Sequence, residues 1–200
     1  MEGAATVERD ERLRLFLALE LPPGVEETLR AWSERELSGG RRPGTLHVTL
    51  AFLGPRPRSE LEAILGALRE SAAESAPFDL EPVRYRETRS VGMLVLTDAS
   101  GEATRLAERV QSRLEELGVY RREARPWLPH VTVVRFRTRL GLDPPLPEIE
   151  RFAPSEAAAF LSRLHPSGAQ YEVIESCSLG SAPKGGRCEA RSVEDVESGG

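Results

Sequence analysis

The chain has no long apolar run, few cysteines and few histidines, and each shortage excludes something. No stretch approaches the ~20 apolar residues that a membrane span requires, so no membrane partner is expected. The first residues, MEGAATVERDERLR, are acidic and lack an apolar core, so no secretory leader is read there. Two cysteines among 200 residues, Cys177 and Cys188, make neither a disulfide framework nor a metal-ligand spacing. Cys177 reads as a buried strand thiol and Cys188 as an incidental tail residue, and a cytoplasmic location is expected. Only three histidines occur, His47, His130 and His165. No Asp or Glu stands two or four residues from His47 or His130, so the three protein ligands usual for catalytic zinc are missing. No metal and no cofactor are expected.

A positive excess is also lacking: the net charge is -5. Residues 1–12 and 187–200 each contribute -2, leaving about -1 for the body. Within that body, Tyr120 to Arg139 holds Arg121, Arg122, Arg125, Arg135, Arg137 and Arg139 against Glu123 alone. A local basic field beside a site matters more to an anionic ligand than the global sum.

Hydrophobic residues make up 40% and charged residues 30%, a globular balance that leaves room for one core. Residues 1–12 read as a disordered head, 13–182 as one bilobal domain and 183–200 as a disordered tail. Strands are expected at Leu13–Leu21, Thr45–Leu53, Phe78–Glu87, Val91–Thr97, His130–Phe136 and Tyr171–Leu179. Helices are expected at Gly24–Leu37, around Leu61 to Leu68, at Ala103–Leu117 and, short, at Ser155–Leu164. His165 falls in a loop.

One order of elements occurs twice. An apolar strand, a helix and a His-x-Thr strand run from Leu15 to Thr49, and again from Met93 to Thr132. This duplication predicts an α+β, bilobal fold: two antiparallel sheets related by a pseudo-two-fold, a central cleft, and helices on the outer faces.

The repeated tripeptides carry the chemistry. Residues i and i+2 of a strand share a face, so His47 projects with Thr49 and His130 with Thr132, while Val48 and Val131 turn away. Imidazoles titrate near neutrality, so one can accept a proton while the other donates one. Threonine hydroxyls can hold the non-bridging oxygens of a phosphate. The set suits in-line hydrolysis of a phosphodiester, and the residues alone do not say which histidine is the acid.

Four stretches carry a resemblance: RLFLALELP from Arg14, LHVTLAFLG from Leu46, RPWLPHVTVVR from Arg125 and LSRLHPSGAQYEVI from Leu161. On these the chain resembles the 2H phosphoesterase superfamily, and within it the RNA 2′,3′-cyclic phosphodiesterases, also called 2′-5′ RNA ligase-like proteins. The resemblance implies hydrolysis of an RNA 2′,3′-cyclic phosphate end to a 2′-phosphomonoester, with reverse 2′-5′ joining as a side capacity. It implies His47 as proton donor, His130 as proton acceptor, and Thr49 and Thr132 as phosphate ligands. Arg125 and Arg135 are candidate RNA contacts. Phe52 is a candidate base-stacking residue, with a core position as its alternative. Where many relatives have an Arg-Val-Leu-Trp type strand, this chain reads Ser90-Val-Gly-Met-Leu-Val-Leu96. A monomer acting on RNA ends or a related nucleotide is expected. The alternatives are a phosphodiesterase for a small cyclic nucleotide and a protein that binds RNA ends without turnover.

Overall fold

The computed structural model describes residues 11–154, 156–165, 168–179 and 188–190. Their elements run β1 (Arg12–Glu20), α1 (Pro23–Glu36), β2 (His47–Pro57), α2 (Leu61–Ala73), β3 (Glu81–Glu87), β4 (Val91–Thr97), α3 (Glu102–Glu116), β5 (His130–Arg135), β6 (Glu156–His165), β7 (Gly168–Ser178) and β8 (Cys188–Ala190). The fold is α+β, and the strands form one antiparallel sheet in the order β3-β4-β5-β2-β1-β6-β7-β8. The two expected sheets are thus halves of one. Their junction is a single pair, Val48 opposite Val131. About that pair β2 mirrors β5 and β1 mirrors β4, as the duplication requires.

All three helices are amphipathic and pack on one face. In α3, Leu106, Val110 and Leu114 are fully buried at four-residue steps. Burying each such leucine contributes roughly 1.5–3 kcal/mol before entropy is counted. Helix α1 packs on β5 and α3 on β2, so each half's helix supports the other half's motif strand. No helix among the described residues is long and apolar enough to cross a membrane.

Three expectations are corrected. The segment expected as a short helix, Ser155–Leu164, contains β6, which lies between β1 and β7. Its Ala157, Ala159 and Leu161 join the core under the helices, while Ala158 and Phe160 bury on the other face. A strand covered on both faces has no alternation to read. Cys188, expected in the disordered tail, is in β8 and forms a disulfide with Cys177. The pairing removes the free-thiol argument for a reducing compartment. Arg12, expected in the head, opens β1. Residues 1–10, 180–187 and 191–200 lie outside the described residues.

A bulge just after the threonine shapes each motif strand. In β2, Thr49 pairs with Ala18 and Ala51 with Leu17, leaving Leu50 as an extra residue. In β5, Thr132 pairs with Met93 and Val134 with Gly92, leaving Val133 extra. The Leu50 carbonyl accepts a hydrogen bond from Gln111 Nε2 of α3 at 2.9 Å, a contact buried in the core. Gln111→Leu strands that carbonyl and is expected to cost roughly 1–3 kcal/mol in urea unfolding. Gly92 opposes the second bulge, and a Cβ there would meet the Tyr85 hydroxyl and Val134. Only glycine fits at this approach.

Candidate active site

Because β2 and β5 are antiparallel about Val48–Val131, one step outward sets His47 opposite Thr132 and Thr49 opposite His130. The four polar side chains therefore stand on one face, in a two-fold arrangement. Both valines are completely buried beneath them against the helices. His47–Phe52 and His130–Arg135 have the same burial sequence: half-buried, buried, half-buried, buried, buried, exposed.

That sequence departs from simple alternation because of the bulges. Each bulge follows the threonine and places two consecutive residues in the core, Leu50-Ala51 and Val133-Val134. The next residue then turns back to the site face. In β2 that residue is Phe52, 50% exposed and opposite Phe16. In β5 it is Arg135, also exposed. Phe52 is thus excluded from the core, where unbroken alternation would put it. The equivalent positions of the two halves carry an aromatic ring and a guanidinium.

The histidines have unlike surroundings. His47 is enclosed by aromatic rings: Phe16 at 4.9 Å between centroids, Tyr171 at 5.6 Å and Phe160 at 5.9 Å. Phe16 and Phe160 stack on each other at 4.8 Å, and with Ala18 and Ala158 they make a small second core on the site face. Burial there pushes the His47 pKa down to about 4, with the Arg135 and His130 charges acting in the same direction. The Thr45 backbone opposes the shift, but Nδ1 is buried with no partner in hydrogen-bond geometry. His130, by contrast, is anchored: its Nδ1 lies 2.8 Å from the Leu128 carbonyl. A carbonyl only accepts, so Nδ1 carries the proton and the lone pair of a neutral ring is on Nε2.

The approach to β5 is pinned from both neighbouring strands, β2 and β4. Trp127 Nε1 donates to the Thr49 carbonyl at 2.9 Å, and Leu96 N donates to the Pro129 carbonyl at 2.9 Å. Arg125 lies in this approach, exposed and ion-paired with Glu123 at 2.5 Å, and makes no described contact with either histidine. His165 ends β6 rather than lying in a loop.

Sequence reasoning missed Phe16, Phe160 and Tyr171 around His47, and Arg14, whose guanidinium lies 4.8 Å over the Phe52 ring. For Phe16 and Arg14 the period-two pattern of β1 was an available signal. Among the described residues, the one His, Cys and acid group close enough to share an ion is Glu175, Cys177 and Cys188, and both sulfurs are already bonded to each other. Neither motif histidine belongs to it.

The family model of the 2′-5′ RNA ligase superfamily matches residues 21–164. The chain belongs to this superfamily. A superfamily relative from Thermus thermophilus, named RNA 2′,3′-cyclic phosphodiesterase, is 32% identical over 181 residues, which span 84% of this chain and 90% of the relative. The crystal structure of TT0787, also from Thermus thermophilus, matches with a TM-score of 0.72 and 31% identity, covering 85% of this chain and 100% of that one. Escherichia coli LigT shares the superfamily fold, with a TM-score of 0.73 at 23% identity over 86% of this chain and 99% of its own.

Proposed function

We propose that this protein hydrolyses RNA 2′,3′-cyclic phosphate ends to 2′-phosphomonoesters with two histidines and no metal. The observation that carries the reading is the two-fold set of His47, Thr49, His130 and Thr132 around the Val48–Val131 pair. A phosphate over that pair has a hydroxyl and an imidazole on each side. Its superfamily relative's name supports the same substrate.

In this reading Thr49 and Thr132 hold the non-bridging oxygens. His130 Nε2 takes a proton from water as the water oxygen bonds to phosphorus. The bond from phosphorus to the 3′ oxygen breaks, and His47 gives that oxygen its proton. The Leu128 carbonyl keeps His130 in the tautomer a base needs. The aromatic enclosure keeps His47 neutral in the empty site, so its proton is taken up with the substrate, whose phosphate charge favours the imidazolium. With a 5′-hydroxyl in place of water, the same steps on the cyclic phosphate bond that oxygen to phosphorus, break the bond to the 3′ oxygen and leave a 2′-5′ linkage beside a 3′-hydroxyl. Phe52 offers a face for the terminal base and Arg135 a charge for the phosphate, which favours a nucleotide substrate over a simple phosphodiester.

The position of the phosphate in the product tests the reading. Phosphorus NMR of the product from a 2′,3′-cyclic end is expected to show the 2′-monoester alone. A 3′-monoester, or a mixture, contradicts the assignment of the 3′ oxygen as leaving group.

A further inference from the structure

We infer that the RNA strand upstream of the cyclic phosphate runs across β4 onto edge strand β3, where Arg84 and Arg86 hold its next phosphates. This rests on the proposed RNA-end substrate and adds a polymer-binding track to it. The strand register aligns the residues concerned. His130 pairs with Val95, and Val95 pairs with Arg84. Thr132 pairs with Met93, and Met93 pairs with Arg86. Paired residues of an antiparallel sheet share a face, so each arginine stands in line with one member of the motif, on the site face. Two strand spacings separate them from β5, about 10 Å.

Both arginines are exposed, while Val95 and Met93 between them and the motif are buried. The rows therefore run from polar motif, over an apolar step, to a cationic edge. Charge pairing separates these arginines from five on the helix face. On the helix face Arg30, Arg69, Arg105, Arg109 and Arg113 all have carboxylate partners. Among the described residues Arg84, Arg86 and Arg135 have none within ion-pair distance. Glu81, opposite Thr97, is the one acid of β3 in register with this face, and it lies at the far end of the strand. Two cations without counter-charges among the described residues, in rows leading away from a phosphate site that Arg135 borders, fit a polyanionic strand. The opposite side of the site, with Phe16, Phe160 and Phe52, is aromatic; its Arg14 lies over the Phe52 ring, opposite Pro55, and is in register with no motif residue. A mononucleotide held at the motif ends short of β3. Recognition by Arg84 and Arg86 is thus a property of longer RNA only.

The test compares wild type with an Arg84→Gln, Arg86→Gln double variant on two substrates, 2′,3′-cyclic AMP and an RNA of roughly eight nucleotides ending in a 2′,3′-cyclic phosphate. Binding of the same RNA with a 2′-phosphate end, read by fluorescence anisotropy, is measured alongside. Both substitutions are on an exposed edge, so folding is retained. The variant is expected to lose roughly tenfold in kcat/KM and in affinity for RNA, with cyclic AMP turnover unchanged. Its log–log salt dependence of RNA binding should be shallower by about 1.4, the slope of two single-strand phosphate contacts. Arg35→Gln, on the helix face, should change neither. Equal RNA binding by variant and wild type, or an equal loss on both substrates, overturns the track. Absence of turnover by wild type on both substrates overturns the proposed function instead, and the anisotropy series then still decides whether β3 holds RNA.

Discussion

His47→Ala and His130→Ala are each expected to lower turnover of a 2′,3′-cyclic phosphate by roughly 10²–10⁴, the range for removing a general acid or base. The two losses should differ in character. His130 is held by one hydrogen bond to the Leu128 carbonyl on the open side of the sheet, so its removal takes away the proposed base and little packing. His47 fills space between Phe16, Phe160 and Tyr171, so alanine there also opens a gap in the small second core. Both side chains project from a sheet whose opposite face buries Val48 and Val131, and both variants should therefore remain folded. In the proposed mechanism acid and base act in one step, so the double variant should be little worse than either single one. Steady-state kinetics with circular dichroism as the folding control reads all three.

Phe160→Ala is expected to act on stability and on titration together. Removing a buried phenylalanine costs roughly 3–5 kcal/mol, and Phe160 is 2% exposed, stacked on Phe16 and near His47. Water entering the gap relieves the burial that depresses His47, so its pKa should climb from about 4 towards 6.5. The sign of the stability effect follows from that shift. In the wild type the unfolded chain binds a proton at His47 between pH 6.5 and 4 while the folded one does not. Stability contributed by this group is therefore lost as pH falls through that window. In Phe160→Ala the slope should flatten. A histidine NMR titration gives the pKa, and urea unfolding across the same pH range gives the slope. An unchanged His47 pKa would show that the rings are not its cause.

Much of this site was legible because the motif repeats. Two His-Val-Thr strands after matching strand and helix units specify a shared face, and the antiparallel pairing of their valines supplies it. The histidines' surroundings were not legible, for a physical reason. Phe160 sits in a strand buried on both faces, and its alanine-rich sequence gives no period of two to separate it from a helix. With β6 unread, the enclosure of His47 could not be assembled. Phe52 was ambiguous for a different reason. A bulge adds one residue to a strand and inverts every face beyond it, and nothing in Leu50-Ala51 announces one. The signal lies in Gln111, a polar residue on the buried face of α3 whose partner is the bulge carbonyl. Strand β8 is only three residues long and is held beside β7 by pairing and by the Cys177–Cys188 bond. No periodicity can reveal a strand of that length.

Two histidines should suffice for the chemistry on a cyclic phosphate end. Turnover of a short RNA ending in a 2′,3′-cyclic phosphate, by purified wild type in excess EDTA, tests this most directly. Full conversion to the 2′-phosphate is expected, at the rate seen without chelator. Loss of conversion in EDTA with recovery on adding a divalent metal, or no conversion by the folded protein under either condition, would contradict it.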